Sequence, residues 1–287
     1  MHDDKRFERS IRFFGHEGQQ RLQATRVGVV GAGGLGTHVV QQLALLGVGA
    51  LVVVDPEELD DTNRNRYVSA RHDDLVPGTL KVEIAERLVA SINPDVIVTR
   101  VPFSLKTREA LDAFEHVTHV FGCLDHDALR LVLTEVAAAY RLPYVDAASE
   151  ILPGQPPEFG GRVCVAWSGT ACLSCMDELD PEESRDANVR RDRAAVYGLP
   201  LAEGGATPSV ISLNGIIASL AVTEFMVGVT GIRTPWPLLT YYGASGTVRV
   251  RTDSRQGCYY CKAVRDAADR DAVRRHIRGS ACLHHRN

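Results

Sequence analysis

Four of the seven cysteines stand as two C-x-x-C pairs, Cys172 with Cys175 and Cys258 with Cys261, separated by 82 residues. Four thiolates are the ligand set of a closed tetrahedral Zn²⁺ site, which leaves no coordination position open for chemistry. Such a site would pin the end of a sheet to the C-terminal segment. The alternative is a pair that is merely buried or redox-active. Cys123 and Cys164 read as packing residues.

A second set of residues suits a phosphorylated ligand. Gly31, Gly33 and Gly36 fit G-x-G-x-x-G between a β-rich run and a helical pattern. The first glycine allows a tight turn, the second lets a ligand approach the backbone, and the third lets helix and strand pack closely. A helix N-terminus there offers free N–H groups to an anion. Asp55 follows Gly36 by 19 residues, at the end of the next apolar run, where a carboxylate can hold ribose hydroxyls. Taken alone, this pattern says only that a nucleotide binds, with NAD or FAD the default.

Asn63, Arg64, Arg66 and Lys81 change that reading. They supply more positive charge than a diphosphate needs and suit a triphosphate, with forked arginine contacts and a lysine point charge. Only four lysines occur in the chain. The competing reading is a solvated charged loop. Asp125 lies just past a fourth apolar run and is placed to hold Mg²⁺ beside phosphates. Asp127 competes for that role, and His126 or Asp127 can simply cap the following helix.

The elements that must position these groups alternate. Strands are predicted at 26–30, 50–54, 95–101, 117–121 and 143–146, with helices at 37–46, 81–92, 108–114 and 126–140. Strands alternating with helices imply an α/β fold: a doubly wound, Rossmann-like, mostly parallel sheet. Beyond residue 150 the pattern changes. A strand at 160–167 has no helix after it, a charged segment at 176–207 reads as long and mobile with a short helix near 181–195, and strands at 238–242 and 247–251 read as antiparallel. A polar helix is expected at 264–278, then a loose tail.

The whole-chain arithmetic excludes several classes. The 287 residues are 45% hydrophobic and 24% charged, enough for a buried core. A net charge of −4 leaves no basic excess for binding nucleic acid by phosphate neutralisation. The N-terminus is charged and has no apolar signal region. The apolar stretch 208–229 carries Asn214, several hydroxyls and Glu224, so it reads as a buried helix rather than a membrane span. A cytoplasmic protein without a membrane role is expected.

In order along the chain, these features resemble the ThiF/MoeB/HesA superfamily of ubiquitin-activating-type adenylyltransferases. Arg6-Phe7-Glu8-Arg9 is similar to that family's R-Y-x-R-Q. The glycine loop, Asp55, Asn63-x-x-Arg66, Lys81, Asp125 with Arg130 five residues on, and the two cysteine pairs follow. The resemblance implies an adenylation domain over residues 1–265, with an N-terminal arm at 1–25 and a crossover segment at 176–207. Residues 266–287 would be a C-terminal helix and tail. It implies ATP, Mg²⁺ and Zn²⁺ as cofactors. Asp55 would hold the ribose, and Asn63, Arg66 and Lys81 would contact phosphates, with Arg64 as helper. Arg9 would reach the neighbouring subunit of a homodimer, and Asp125 would bind Mg²⁺. The implied reaction activates the C-terminal carboxylate of a ubiquitin-like or sulfur-carrier protein as an acyl-adenylate.

Ser10 and Tyr67 depart from the family pattern, each standing where a glutamine is usual. No cysteine lies between Cys175 and Cys258, and no rhodanese-like or ubiquitin-fold extension is expected, so the reaction is expected to stop at the adenylate or pass it to an external thiol or amine. Cys123, Cys164 and Cys282 remain as thioester alternatives. Rival readings are the same chemistry on a small peptide or a tRNA, and a non-catalytic nucleotide-binding subunit. An oxidoreductase would leave the cations and the sulfur cluster unexplained.

Overall fold

The computed structural model describes residues 5–152, 154–169, 171–180, 208–255 and 257–277. Eight strands form one sheet in the order β3-β2-β1-β4-β5-β6-β7-β8. Strands β1 (Arg26–Val30), β2 (Ala50–Val54), β3 (Ile97–Val101), β4 (His119–Gly122) and the start of β5 (Tyr144–Leu152) run parallel. Val27, Val29 and all of β2 are buried, as expected of strands covered on both faces. Strands β6 (Glu158–Ala166), β7 (Leu238–Tyr242) and β8 (Thr247–Arg251) add antiparallel neighbours.

The helices divide between the two faces. On one, α2 (Gly34–Leu46), α3 (Lys81–Ile92) and α6 (Ile211–Thr230) pack over a core that includes Val39, Leu43, Leu88, Ile217, Ala221 and Phe225. On the other, α4 (Arg108–Ala113) and α5 (Asp127–Ala139) enclose Leu111, Phe114, Leu133 and Tyr144, together with Cys172 and Cys175. Helix α6 is long and apolar enough to cross a membrane by length and composition, but half of its most apolar stretch is buried in the protein. It packs on the N-terminal helix α1 (Glu8–Gln23), α2, β5 and β6, as the core helix anticipated.

Three regions differ from the expected elements. The N-terminal arm contains a helix, α1 (Glu8–Gln23), kinked at Gly15 where φ is +76°. Phe7 just before it is buried, and a Cβ on Gly47 would stand 2.4 Å from the Phe7 ring, so Gly47 must stay bare. Strand β5 runs nine residues rather than stopping at 146. Its parallel pairing with β4 ends at Asp146, but antiparallel pairing with β6 carries it on to Leu152. The expected polar helix at 264–278 is broken into a π turn (Tyr260–Val264), one α turn (Arg265–Ala267) and a 3-10 turn (Ala272–His276). Ala268 at φ +48° ends the α turn. Only Val273 within the 3-10 turn is buried, so long-range polar contacts hold the segment: ion pairs of Arg274 with Asp112 and of Arg275 with the buried Glu135, and a hydrogen bond between His276 and Glu135. The expected helix at 181–195, most of the crossover segment, Cys282 and the tail lie outside the described residues.

Candidate nucleotide and metal sites

The order of strands reverses at β1, which lies between β2 and β4. Ligands of open α/β sheets bind at the carboxyl ends of strands beside such a reversal. The glycine loop sits there, and each glycine has a different cause. A Cβ on Gly31, where φ is +91°, would lie 2.3 Å from the Cys123 carbonyl; one on Gly36 would lie 1.9 Å from the Gly31 carbonyl. Both positions are closed by backbone. A Cβ on Gly33 would meet nothing within 4 Å. That space opens onto the first turn of α2, whose N-terminal amides face it without a side-chain cap.

Of the expected cations, Arg66 is the one seen against this loop. Arg66 lies against it: its Cγ is 3.1 Å from where a Gly34 Cβ would be. Its guanidinium donates to the Thr62 carbonyl at 2.6 Å and the Asn63 side chain at 2.8 Å. Asn63 and Arg66 thus share a 3-10 turn, Asp61–Arg66, capped by the Asp60 carboxylate on the Thr62 amide. Lys81 begins α3 with its side chain only 7% exposed and paired to Glu57, which is itself 68% exposed. Asp125 is exposed beyond β4, immediately after residues 123–124, whose backbone packs on Gly31. Arg9 is exposed on α1.

Two of the expected residues are held by contacts within the chain. Asp55, expected to hold a ribose, is 5% exposed and braces the loop itself. One of its oxygens accepts from the Ala32 amide at 2.7 Å and the other from the Glu57 amide at 2.9 Å. Burial pushes its carboxyl above the ordinary value, opposed by the Lys81 charge and these amides. Arg64, the expected phosphate helper, turns away from the loop. It pairs with Asp61 at 2.7 Å and donates to the Arg71 and Asp74 carbonyls, closing the following turn.

Three residues at the site were not anticipated. Glu57 partners Lys81. Tyr67 is buried and its hydroxyl donates to the Ala32 carbonyl, so the residue standing in place of a glutamine locks the loop from below. Asn214 on α6 is 2% exposed, with its amide nitrogen 2.7 Å from the Gly34 Cβ position, and it is held by Ser149 and Ser209. The sequence signal for Asn214 was a lone amide in a mostly apolar helix, noted above only as evidence against a membrane span.

The four cysteines of the two pairs meet. Their sulfurs lie within 4.8 Å of one another, with separations of 3.7 Å (Cys172–Cys175), 3.4 Å (Cys172–Cys258) and 3.6 Å (Cys175–Cys261). A tetrahedron with Zn–S bonds of about 2.3 Å has edges of about 3.8 Å, so these sulfurs fit Zn²⁺. Hydrogen bonds from the Cys172 thiol, and also from Cys175 and Cys258, pull Cys261 down to about 5. Burial pushes Cys175 up to about 12. A bound dication would let all four ionise. Cys123 and Cys164 are pushed well above the ordinary thiol value, chiefly by burial, which suits packing rather than nucleophilic work.

Residues 7–256 match the ThiF family. The chain belongs to that family. Among its relatives are proteins named adenylyltransferase and sulfurtransferase UBA4. The one from Saccharomyces cerevisiae strain YJM789 is 35% identical over 244 residues, covering 85% of this chain and 51% of that protein. The one from Kluyveromyces lactis is 35% identical over 225 residues, covering 78% and 46%. This ThiF-family chain thus spans about half the length of the curated relatives it matches. Escherichia coli MccB solved with ATP superposes with a TM-score of 0.70 at 17% identity, covering 90% of this chain and 75% of MccB. PaaA superposes at 0.66 with 21% identity, covering 88% and 73%. These likenesses establish the shared fold.

Proposed function

We propose that this ThiF-family chain is an ATP-dependent adenylyltransferase that activates the C-terminal carboxylate of a ubiquitin-like or sulfur-carrier protein. The observation that carries the reading is the open space over Gly33 at the uncapped start of α2, at the carboxyl end of β1, with Arg66 against Gly34 and Asp125 just after the residues that pack on Gly31. A carboxylate oxygen attacks the α-phosphorus, an O–P bond forms, the α–β anhydride bond breaks, and pyrophosphate leaves with its electron pair. The α2 amides and Arg66 orient the phosphates and hold their charge, and the buried Lys81 adds a cation fixed by Glu57. Asp125 would hold Mg²⁺, which when bound neutralises phosphoryl charge. No side-chain nucleophile is needed. Asp55 and Tyr67 keep the loop in shape without touching the reacting atoms.

The same reading includes a homodimer in the cytoplasm. The homodimer is supported by the outer face of α6, where Ser212, Gly215, Ile216, Ser219, Leu220 and Thr223 line an open groove. The test of function is ATP–pyrophosphate exchange with ubiquitin-fold proteins ending in Gly-Gly. Exchange that needs such a carrier, and that falls at least about a hundredfold in Asp125→Ala, is the expected result. Exchange with a short free peptide instead would transfer the reading to peptide adenylation. Absence of ATP binding would leave a non-catalytic subunit.

A further inference from the structure

One buried carboxylate belongs to neither site yet touches the supports of both. Asp146, fully buried, is the residue at which β5 leaves β4. One oxygen accepts from Arg130 at 2.6 Å and Arg162 at 2.7 Å, and the other from the Tyr144 hydroxyl at 2.8 Å. Both arginine side chains are largely buried, 7% and 14% exposed. The end of β4 is bare to admit this group: a Cβ on Gly122 would lie 2.6 Å from the Tyr144 hydroxyl and 3.1 Å from Asp146.

The two arginines lead in opposite directions. Arg130 donates its other arm to the carbonyl of Leu124, the residue before Asp125, and stands 3.4 Å from Asp127. Arg162 pairs with Glu178 at 3.2 Å and donates to the Glu178 carbonyl at 3.1 Å. The Glu178 amide in turn bonds the Leu173 carbonyl, between Cys172 and Cys175. Asp127 closes the circuit by accepting the Asp180 amide at 2.8 Å. Forked, charge-assisted bonds fix direction as well as distance. A buried carboxylate between two cations cannot lose its charge without stranding both.

We propose that Asp146 is a positioning residue that sets the Asp125 loop through Arg130 and the cysteine-bearing segment 172–180 through Arg162, so that the two sites are held as one unit. Its consequence for Mg²⁺ rests on the adenylation reading; the mechanical coupling does not. Hydrogen exchange of the free full chain reads the coupling. Asp146→Asn keeps the shape and removes the charge, and it is expected to raise exchange in 122–127 and 172–180 together. Arg162→Gln is expected to raise it in 172–180 alone. Loosening of one segment only, or of neither, in Asp146→Asn overturns the proposal.

Calorimetric titration with ATP, with and without MgCl2, reads the consequence. In Asp146→Asn the gain in ATP affinity on adding Mg²⁺ is expected to fall about tenfold, with the Mg²⁺-free affinity within about twofold of wild type. An equal loss under both conditions marks a merely structural residue and overturns the proposal. Wild-type protein that binds no ATP defeats the adenylation reading, and the exchange data still decide the coupling. Should Asp146→Asn not fold, Arg130→Lys keeps the charge and removes the fork to Leu124. It is expected to reduce the Mg²⁺ gain while 172–180 stays protected, and an unaltered gain overturns the proposal.

Discussion

The parallel and antiparallel halves of the sheet solve opposite problems. At the carboxyl ends of β1 and β4 the protein keeps space and unpaired donors: an empty volume over Gly33 and uncapped amides at the start of α2. Beside β5 to β7 it removes space and brings four sulfurs within 4.8 Å of one another. The first arrangement suits a ligand that comes and goes, because its donors are pre-oriented and reachable. The second suits an ion that stays, because a closed sulfur tetrahedron leaves nothing for water or substrate to take. The difference shows how one sheet can carry chemistry at one place and a clasp at another.

The comparison breaks hardest at the glycines of the open half. Gly36→Ala forces a Cβ to 1.9 Å from a backbone carbonyl, and it is expected to cost about 4 kcal/mol or more, seen as loss of soluble, cooperatively melting protein. The clasp is tested by Cys172→Ser. Zinc content by elemental analysis is expected to fall from one per chain to none, and stability by about 3 to 4 kcal/mol, read as a thermal midpoint on the order of 10 °C lower. Retention of zinc would dissolve the contrast.

A third test uses the opposite end of the parallel strands. His119 begins β4, packed between Trp167 and Phe225, and burial lowers its pKa from 6.5 to about 4. The unfolded chain takes up a proton near 6.5 that the folded chain refuses until about 4, so this histidine contributes a stability that is full above 6.5 and declines as pH falls towards 4. The span corresponds to about 3 kcal/mol at most. Denaturant melts at pH 7.5 and 4.5 are expected to differ less in His119→Phe than in wild type. The smallest effect sharpens the contrast within the loop itself. Gly33→Ala, with φ −76° and nothing within 4 Å, should melt as wild type does and lose ATP affinity about tenfold, about 1.4 kcal/mol, by calorimetry.

Much of the open half was legible because its signals are local. The glycine spacing and the valine-rich strands each depend on residues within a few positions. Asp55 stands just past the second strand, where the motif puts it, but its bonds to the Ala32 and Glu57 amides were not legible, because a motif tells where a carboxylate sits and not which amides reach it. Arg64 was drawn off by Asp61 and the carbonyls at 71 and 74. Tyr67, Asn214 and Asp146 were not legible as parts of one assembly. Tyr67 finds Ala32 across 35 residues and Asn214 finds Ser149 across 65. The C-terminal segment was read as a helix from its polar composition, whereas ion pairs to Asp112 and Glu135 decided its shape.

By itself the sequence determined the alternation of strand and helix, the glycine loop, and the presence of two cysteine pairs, since short-range sterics and periodic burial act on neighbours along the chain. Only the tertiary structure decided that β5 continues into a long hairpin, that the four sulfurs converge, and that Asp146 stands between two arginines serving different loops. Those outcomes depend on contacts between residues far apart in the chain. Their direction is set by the packed sheet and helices, because a buried charge or thiol takes whichever partner the fold has placed within reach.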